Sequence, residues 1–194
     1  MTATPNKIAL FGGSFDPVHK GHTRLLETAL TELDLDLAYM IPCKQSPHKA
    51  NAPQASDQHR LEMCQLSIAH LSKVKVSSYE LDSTESSYAW KTVAHFQELY
   101  PNTTLYWILG TDQWTVIDTW AEPEFLRDNL HFIVLERQSE IKSRPNYRYT
   151  PLKFDDLSSS TAVRNHLKRH DDSDLLEPII NNYISKNKLY KAKF

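Results

Sequence analysis

Short, uninterrupted runs of apolar residues recur along the chain, and they predict the strands of a buried sheet. A strand that is buried on both faces shows a continuous apolar run, whereas a half-exposed strand alternates between apolar and polar residues. Glycine or proline directly follows three of the runs, which is typical of a strand that ends in a turn. The runs lie at residues 8–11, 37–41, 105–109 and, after His131, 132–135, and they predict strands at 8–11, 37–41, 105–109 and 131–135; a further short strand is predicted at the mixed segment 74–77.

Between these runs, apolar residues recur at three- or four-residue spacing, as on one face of a helix. The first helix carries Leu25, Leu26 and Ala29 on that face. Further helices are predicted at residues 56–71, 87–99, 158–170 and 175–183. Because helical crossovers join strands that run in the same direction, the alternation predicts an α/β fold. We expect a Rossmann-like, doubly wound parallel sheet of about five or six strands with helices on both faces, in one domain over residues 1–194.

The turn after the first predicted strand has the sequence GGSFDPVHKGH, from Gly12 to His22. Glycine at 12 and 13 allows backbone to approach a ligand closely. His19 and His22 stand where a helix begins, and the unpaired N–H groups of a helix N-terminus attract anions. An imidazole adds a hydrogen-bond donor there. The segment predicts a phosphate cradle, although two histidines alone would equally suit a structural turn.

Asp16 and Pro17, in the middle of this segment, are expected to shape the turn rather than to contact substrate. A second cluster, of hydroxyl side chains, opens the helix predicted at residues 158–170. Serine and threonine at a helix N-terminus cap it and can donate to phosphate oxygens, and Arg164 adds a planar fork that suits phosphate. A capped surface helix is the alternative interpretation of this cluster on its own.

A third motif, Gly110–Trp114, follows the fourth predicted strand, and Trp120 comes six residues later. A carboxylate such as Asp112, just beyond a buried strand, can accept hydrogen bonds from a ribose, and an indole can stack on an aromatic ring. The alternatives are an N-cap for Asp112 and core positions for the tryptophans. We favour the core for Trp114.

Charge and cysteine content narrow the class of protein. The formal net charge is −2, and acidic and basic residues are interspersed. Without a basic patch, neither nucleic acid nor a membrane surface is an expected partner. Cys43 and Cys64 are too few for a disulfide framework and too isolated for a zinc site. The first residues lack the apolar stretch of a secretory signal. We expect a cytoplasmic protein that acts on small molecules, and the sequence leaves a homodimer open.

The segment GGSFDPVHKGH resembles the G-x-F-D-P-x-H-x-G-H signature of the nucleotidyltransferase superfamily. Together with S-S-T-x-x-R at residues 159–164, it is similar to the bacterial nicotinate mononucleotide adenylyltransferases. This resemblance extends from about residue 7 to the segment 186–190. It implies transfer of AMP from ATP to nicotinate mononucleotide, which gives nicotinate adenine dinucleotide and pyrophosphate in NAD biosynthesis. The chemistry of this reaction implies Mg²⁺ bound with the ATP phosphates, without a dedicated cage of protein ligands.

The resemblance assigns site residues to three roles. Catalytic roles are implied for His19, His22 and Arg164. Contacts to ATP are implied for Gly12, Gly13, Ser14, Phe15, His19, His22, Lys49, Gly110, Asp112, Ser159, Thr161 and Arg164. Contacts to the mononucleotide are implied for Lys44, His48, Tyr88, Ala89, Trp120 and Arg137.

The chain departs from the pattern of this family at several positions near the acceptor. Ala89 lacks the hydroxyl of the family's S-Y-T element, Ala121 stands where relatives often have an aromatic residue, and Cys43 replaces a common asparagine. Nicotinamide mononucleotide is therefore an alternative acceptor. Phosphopantetheine is a less favoured one, because the enzymes that use it lack the Gly110–Trp120 element in this form. A nucleotide-binding regulatory module without turnover is the alternative from a different class.

Overall fold

The computed structural model describes residues 4–45, 51–136, 140–156, 158–170 and 172–191. Six strands occur in these ranges: β1 (Lys7–Gly13), β2 (Leu37–Pro42), β3 (Val74–Val76), β4 (Thr104–Gly110), β5 (His131–Glu136) and β6 (Tyr149–Lys153). All neighbouring pairs are parallel, and the strand order is β3-β2-β1-β4-β5-β6. The order reverses direction between β1 and β4, as in a doubly wound sheet.

Eight α-helices occur in the described ranges: α1 (Lys20–Glu32), α2 (Asp57–Ser67), α3 (Tyr79–Asp82), α4 (Ala89–Leu99), α5 (Thr111–Thr115), α6 (Pro123–Asn129), α7 (Ser160–Leu167) and α8 (Pro178–Lys186). A 3₁₀ turn at Ile117–Thr119 links α5 to α6. Of the helices that the structure describes, none has the length and apolar character needed to cross a membrane.

Two apolar clusters cover the two faces of the sheet. Alternate residues of β1 separate onto these faces, because successive strand side chains point in opposite directions. Ala9 joins the cluster formed with α1, α2, α7 and α8, whereas Ile8 and Leu10 join the cluster formed with α4, α5 and α6. Both faces of the sheet are therefore covered by apolar side chains, which explains why most strands are continuous apolar runs rather than alternating ones.

A crevice opens at the carboxyl ends of β1 and β4, where the winding reverses. The pairing of β1 with β2 continues to Gly13 and Pro42. In contrast, the pairing of β1 with β4 ends at Leu10 and Trp107, so the two strands separate before the end of β1. The glycine turn after β1 therefore faces an open space, which is where ligands bind in folds of this kind.

The predicted fold class is confirmed, and so are the five predicted strands. Ser56 caps α2 as expected, since its hydroxyl accepts from the N–H of His59 at 3.3 Å. Several boundaries were wrong. The helix predicted at 56–71 ends at Ser67 and continues as hydrogen-bonded turns. The closing helix begins at Pro178 instead of Leu175, because proline lacks an N–H and suits the first helical turn.

Boundaries also shift at two other helices, and several elements were not predicted. The helix predicted at 87–99 begins at Ala89, and the one predicted at 158–170 spans Ser160–Leu167. The unpredicted elements are α3, α5, the 3₁₀ turn, α6 and β6.

The turn that ends α8 redirects the chain towards the sheet. The N–H of Leu189 donates to the carbonyl of Ile184 at 3.0 Å, and the N–H of Lys188 donates to that of Ser185 at 3.2 Å. This pair of bonds is a Schellman motif, whose residue beyond the cap adopts left-handed backbone and is usually glycine. Here that residue is Lys188, with φ of 53° and an exposed side chain.

Replacing Lys188 with glycine is expected to stabilise the protein by about 1 kcal/mol, because a Cβ atom is strained in left-handed backbone. Urea denaturation measures this change in the free energy of unfolding. Lys186→Gly, at the last position of α8, serves as the control and should destabilise instead, since glycine loses more backbone freedom in helical conformation. Equal effects of the two variants would contradict the interpretation.

Candidate active site

One cavity of about 780 Å³ occupies the crevice beyond β1 and β4. Most of the residues selected from sequence line it: Gly12, Gly13, Ser14, Phe15, His19, His22, Tyr88, Ala89, Gly110, Asp112, Trp120, Ser159, Thr161 and Arg164. The structure thus brings together motifs that lie up to 152 positions apart in the chain, at Gly12 and Arg164. Three other selected residues, His48, Lys49 and Arg137, lie outside the described residues.

Lys44 was selected as a contact for the mononucleotide phosphate, and the structure gives its ammonium another partner. Its Nζ donates to the carbonyl of Ser83 at 2.6 Å, and its backbone N–H donates to Ser87 Oγ at 3.0 Å. It is not among the described residues that line the cavity. The geometry therefore favours a role for Lys44 in joining the end of β2 to the segment before α4.

The cradle is formed by the end of β1 and the turn that follows. A Cβ atom on Gly13 would lie 2.9 Å from Cζ of Phe15, closer than real Cβ contacts allow. Phe15 itself is buried and has φ of 44°, an uncommon backbone conformation for a bulky residue. The strained turn folds the Phe15 ring under Gly13, which leaves the glycine backbone facing the cavity.

Two stacked histidines begin α1. Their ring centroids are 3.6 Å apart, and the backbone N–H of His19 donates to Nδ1 of His22 at 3.1 Å. An acceptor at Nδ1 assigns the proton of the neutral His22 ring to Nε2. His22 therefore has an N–H donor, in addition to the N-terminal amides of α1, that can serve a phosphate oxygen. The ring is also fixed by an edge contact with Phe15 at 5.0 Å.

Asp156 is a site residue that was not selected from sequence. A Cβ atom on Gly21 would lie 3.1 Å from both Asp156 Oδ1 and His19 Nδ1, so the missing side chain lets carboxylate and imidazole approach each other. Burial alone would raise the pKa of Asp156, but hydrogen bonds from Ser158 and the charges of Arg24 and His19 outweigh it and lower the pKa. An ionised carboxylate thus stands behind His19. The only local signal was its position just before the hydroxyl cluster.

Asp16 has the turn-shaping role that the sequence predicted. Its buried carboxylate accepts from the backbone N–H groups of Gln54 (2.8 Å) and Ala55 (3.0 Å). Its carbonyl accepts from Nη1 of Arg164 at 2.6 Å. The fully buried Arg60 supports the neighbouring residue, because its Nη1 donates to the carbonyl of Ser14 at 2.7 Å. These contacts fix the cradle to α2 and α7.

The N-terminus of α7 forms the opposite wall of the cradle. Ser159 Oγ accepts from the N–H of Ala162 at 3.1 Å, which confirms the predicted cap. Ser160 Oγ donates to the carbonyl of Pro17 at 2.9 Å and so joins α7 to the turn after β1. Nη2 of Arg164 donates to Thr161 Oγ1 at 3.1 Å, which orients the guanidinium along the cavity wall. The two motifs that the sequence predicts to bind phosphate are therefore in direct contact.

The other end of the cavity is lined by aromatic and small side chains. Trp120 is partly exposed there and makes an edge contact with Trp107 at 6.2 Å, whereas Trp114 is fully buried, as predicted. Tyr88 occupies the N-cap position of α4 without a capping hydrogen bond from its side chain, and Ala89 is the first residue of the helix. A flat ring can stack on the indole while the N-terminal amides of α4 face its substituent.

A buried carboxyl group, Glu80, lies behind this end of the cavity and was not selected from sequence. Its Oε1 accepts from Thr92 Oγ1 at 2.7 Å. Burial raises the pKa of Glu80, and the hydrogen bonds from Thr92 and Ser87 lower it only in part. Glu80 connects α3 to the segment Ser87–Ala89, which borders the ring end of the cavity.

Glu80→Gln is expected to increase stability relative to the natural protein as the pH rises. A carboxyl whose pKa is raised by folding stabilises the fold while protonated, and this contribution is lost as pH rises through the folded pKa. The difference in Tm between variant and natural protein should therefore grow upward from the ordinary pKa of 4.5. Thermal unfolding between pH 4 and 8 measures it. Glu98→Gln, on the exposed side of α4, is the control for removing one carboxyl from the surface.

A cradle of backbone amides and histidines that faces a hydroxyl-capped helix with an arginine fork is the site of a nucleotidyltransferase. Consistent with this class, residues 10–166 match the model of the cytidylyltransferase-like family. The chain is 36% identical to a probable nicotinate-nucleotide adenylyltransferase of Methylacidiphilum infernorum, over 96% of this chain and 93% of the relative. It is 31% identical to the nicotinate-nucleotide adenylyltransferase of Bacillus subtilis, over 96% and 99%.

A solved structure gives the same result at the level of the fold. The Plasmodium falciparum nicotinic acid mononucleotide adenylyltransferase complexed with NaAD superposes with a TM-score of 0.77 at 27% identity, over 95% of this chain and 97% of that chain. The chain belongs to the nicotinate-nucleotide adenylyltransferases, a branch of the cytidylyltransferase-like family.

Proposed function

We propose that the protein transfers AMP from ATP to nicotinate mononucleotide, releasing pyrophosphate and forming nicotinate adenine dinucleotide for NAD biosynthesis. The observation that carries this proposal is a single cavity with two chemically different ends. One end has the amides, histidines and guanidinium that suit a triphosphate. The other end has the indole of Trp120 and the N-terminus of α4, which suit a flat ring with a carboxylate.

The reaction needs positioning more than proton transfer. A phosphate oxygen of the mononucleotide attacks the α-phosphorus of ATP, and the bond from this phosphorus to the bridging α,β oxygen breaks as pyrophosphate leaves. Because a phosphate monoester has a second pKa near ~6, the nucleophile is mostly dianionic at neutral pH. No general base is therefore required. The protein has to align the two phosphates and stabilise charge on the α-phosphate and the leaving group.

We infer that His22 and Arg164 stabilise this charge. His22 lines the same cavity as Gly12 and Gly13, so its Nε2–H and the glycine amides can share the α-phosphate. The guanidinium of Arg164 and the hydroxyls of α7 line the opposite wall, where the leaving pyrophosphate would lie. Donors fixed before the reaction stabilise the transition state without reorganisation.

Mg²⁺ is proposed to enter with ATP, bound to its phosphates. Among the described residues, no group of three or more His, Cys, Asp or Glu converges on a metal position. The cradle is formed instead by N–H donors, hydroxyls and a guanidinium, which bind phosphate oxygens directly. This donor set fits an ion carried by the substrate, whose charge would reduce repulsion between the phosphates.

Nicotinamide mononucleotide is the second candidate acceptor. Ala89 and Ala121 offer no side-chain donor to a carboxylate, so discrimination between acid and amide would depend on backbone amides of α4. These amides favour an anion, because a helix N-terminus carries partial positive charge.

The test is pyrophosphate release from ATP and Mg²⁺ with nicotinate mononucleotide, nicotinamide mononucleotide or phosphopantetheine, each supplied separately. We expect release with nicotinate mononucleotide at the highest kcat/KM, together with a product of the mass of the deamido dinucleotide. A preference for the amide would favour the second acceptor. Absence of release with every acceptor, despite ATP binding, would identify a nucleotide-binding module instead.

A further inference from the structure

A tyrosine from the segment after α8 is buried beneath the phosphate cradle. The hydroxyl of Tyr190 donates to Oδ1 of Asp16 at 2.8 Å, across 174 positions of sequence. Tyr190 and Asp16 are both buried. Burial, followed by the proximity of Asp16, raises the pKa of Tyr190, so the phenol keeps its proton and remains a donor.

Asp16 connects Tyr190 to two parts of the site, because it also forms hydrogen bonds with residues of each. Its carboxylate holds the N–H groups of Gln54 and Ala55, and Gln54 lines the cavity. Nη1 of Arg164 donates to its carbonyl at 2.6 Å and lies 3.7 Å from its Oδ2. The same guanidinium therefore stands between a buried carboxylate and the space for phosphate. Its position depends on how well other donors satisfy that carboxylate.

The unusual backbone conformation of Tyr190 indicates that its contact with Asp16 is maintained at a cost in backbone strain. Tyr190 has φ of 62°, in the left-handed region that bulky residues rarely adopt. It follows Lys188, which also has a positive φ of 53°, so two strained residues in one turn deliver the phenol. Strained backbone that persists in this way marks positions held for function.

We propose that Tyr190 is a positioning residue for ATP, acting through Asp16 on Arg164 and on the Gln54–Ala55 wall. This inference rests on the proposed adenylyl transfer. Without the phenol, the buried Asp16 carboxylate has one donor fewer at Oδ1 and attracts cations more strongly, so the guanidinium of Arg164 moves in from its 3.7 Å separation from Oδ2. The fork then leaves the phosphate wall, so ATP binding weakens while the acceptor end of the cavity is unchanged.

The test is Tyr190→Phe, with ligand binding measured by calorimetry and turnover measured by pyrophosphate release. We expect the Kd of an α,β-methylene analogue of ATP to rise about 10-fold, as for a donor displaced by a fraction of an ångström, and kcat to fall. The Kd of nicotinate mononucleotide should not change. An unchanged Kd for the analogue, or equal weakening for both ligands, would overturn the proposal.

Tyr183→Phe is the matched control. Its hydroxyl donates to Glu62 Oε2 at 2.9 Å, and it comes from the same C-terminal region but is not among the described residues that line the cavity. Thermal unfolding of both variants checks that they are folded. If Tyr183→Phe weakens the analogue as much as Tyr190→Phe does, the effect is one of general stability and the proposal fails.

A double-mutant cycle tests the route through Asp16. In an Asp16→Asn background, Tyr190→Phe should change the Kd of the analogue by less than twofold, because the carboxylate through which it acts is absent. If Asp16→Asn and Tyr190→Phe each changed the Kd of the analogue by the same factor alone and in combination, the route through Asp16 would be overturned. If the natural protein itself binds neither ligand, the proposed function fails and this inference fails with it. If the natural protein is active and Tyr190→Phe has the same Kd for the analogue and the same kcat, only this inference fails.

Discussion

Replacing His22 with alanine is expected to lower kcat by about 10²-fold or more, the size of loss seen when one transition-state donor is removed. The neutral His22 ring carries its proton on Nε2, because Nδ1 accepts the backbone N–H of His19 at 3.1 Å. The variant loses this donor to the α-phosphate, so the effect should fall on kcat more than on either KM. Steady-state pyrophosphate release measures both.

His22→Asn separates the catalytic role of His22 from its structural role. An asparagine oxygen can take the place of Nδ1 and accept the N–H of His19, but no group replaces the Nε2 donor. We expect Tm to recover while kcat stays low. His166→Ala, on an exposed position of α7, is the control and should keep full turnover. A folded His22→Ala protein with near-normal kcat would contradict the assignment of the cradle.

Replacing Arg164 with alanine is the second large change, and kcat/KM for ATP should fall by about 10²-fold or more. The guanidinium links the turn after β1 to α7, because it donates to the carbonyl of Asp16 at 2.6 Å and to Thr161 Oγ1 at 3.1 Å. Its loss removes charge from the pyrophosphate wall and also loosens the turn after β1. The measurement is turnover at varied ATP with the mononucleotide saturating.

Arg164→Lys tests whether the planar fork matters beyond its charge. An ammonium cannot hold the carbonyl and a phosphate oxygen in one plane, so lysine should restore only a small part of the activity. Arg169→Ala, on an exposed position after α7, is the matched control. Full activity of Arg164→Lys would show that charge alone is sufficient.

The central strands were predictable because burial on both faces leaves an unmistakable pattern. Residues 8–11 and 132–135 are apolar without interruption, and both lie in strands inside the sheet. The edge strand β6 was not predicted, because Tyr149–Lys153 mixes polar residues with Pro151, which suits an edge and weakens the strand signal. The short α5 and α6 have too few residues for a helical period to show.

The site residues, like the strands, fall into a predictable and an unpredictable group. Residues in compact motifs were predictable, and residues that join the site through long-range contacts were not. The residues at Gly12–His22 and Ser159–Arg164 are compact motifs whose spacing follows from a strand-to-helix turn and a capped helix, and their juxtaposition follows from the fold. Glu80 and Tyr190 carry no local pattern, and Asp156 has only its position before the hydroxyl cluster, because each becomes part of the site through contacts with other elements. A single carboxylate or phenol in a sequence does not indicate where it will be buried.

The hydrogen bond between Asp16 and Tyr190 joins residues that are synthesised at different times. These partners are separated by 174 positions, so a growing chain that has emerged as far as α7 already holds both motifs proposed to bind phosphate but not the phenol that donates to Asp16. At ordinary synthesis rates the interval from Asp16 to Tyr190 is roughly 10 to 30 seconds. During that time the Asp16 carboxylate lacks this donor, and the proposed effect of the phenol on ATP binding begins only once Tyr190 has been made.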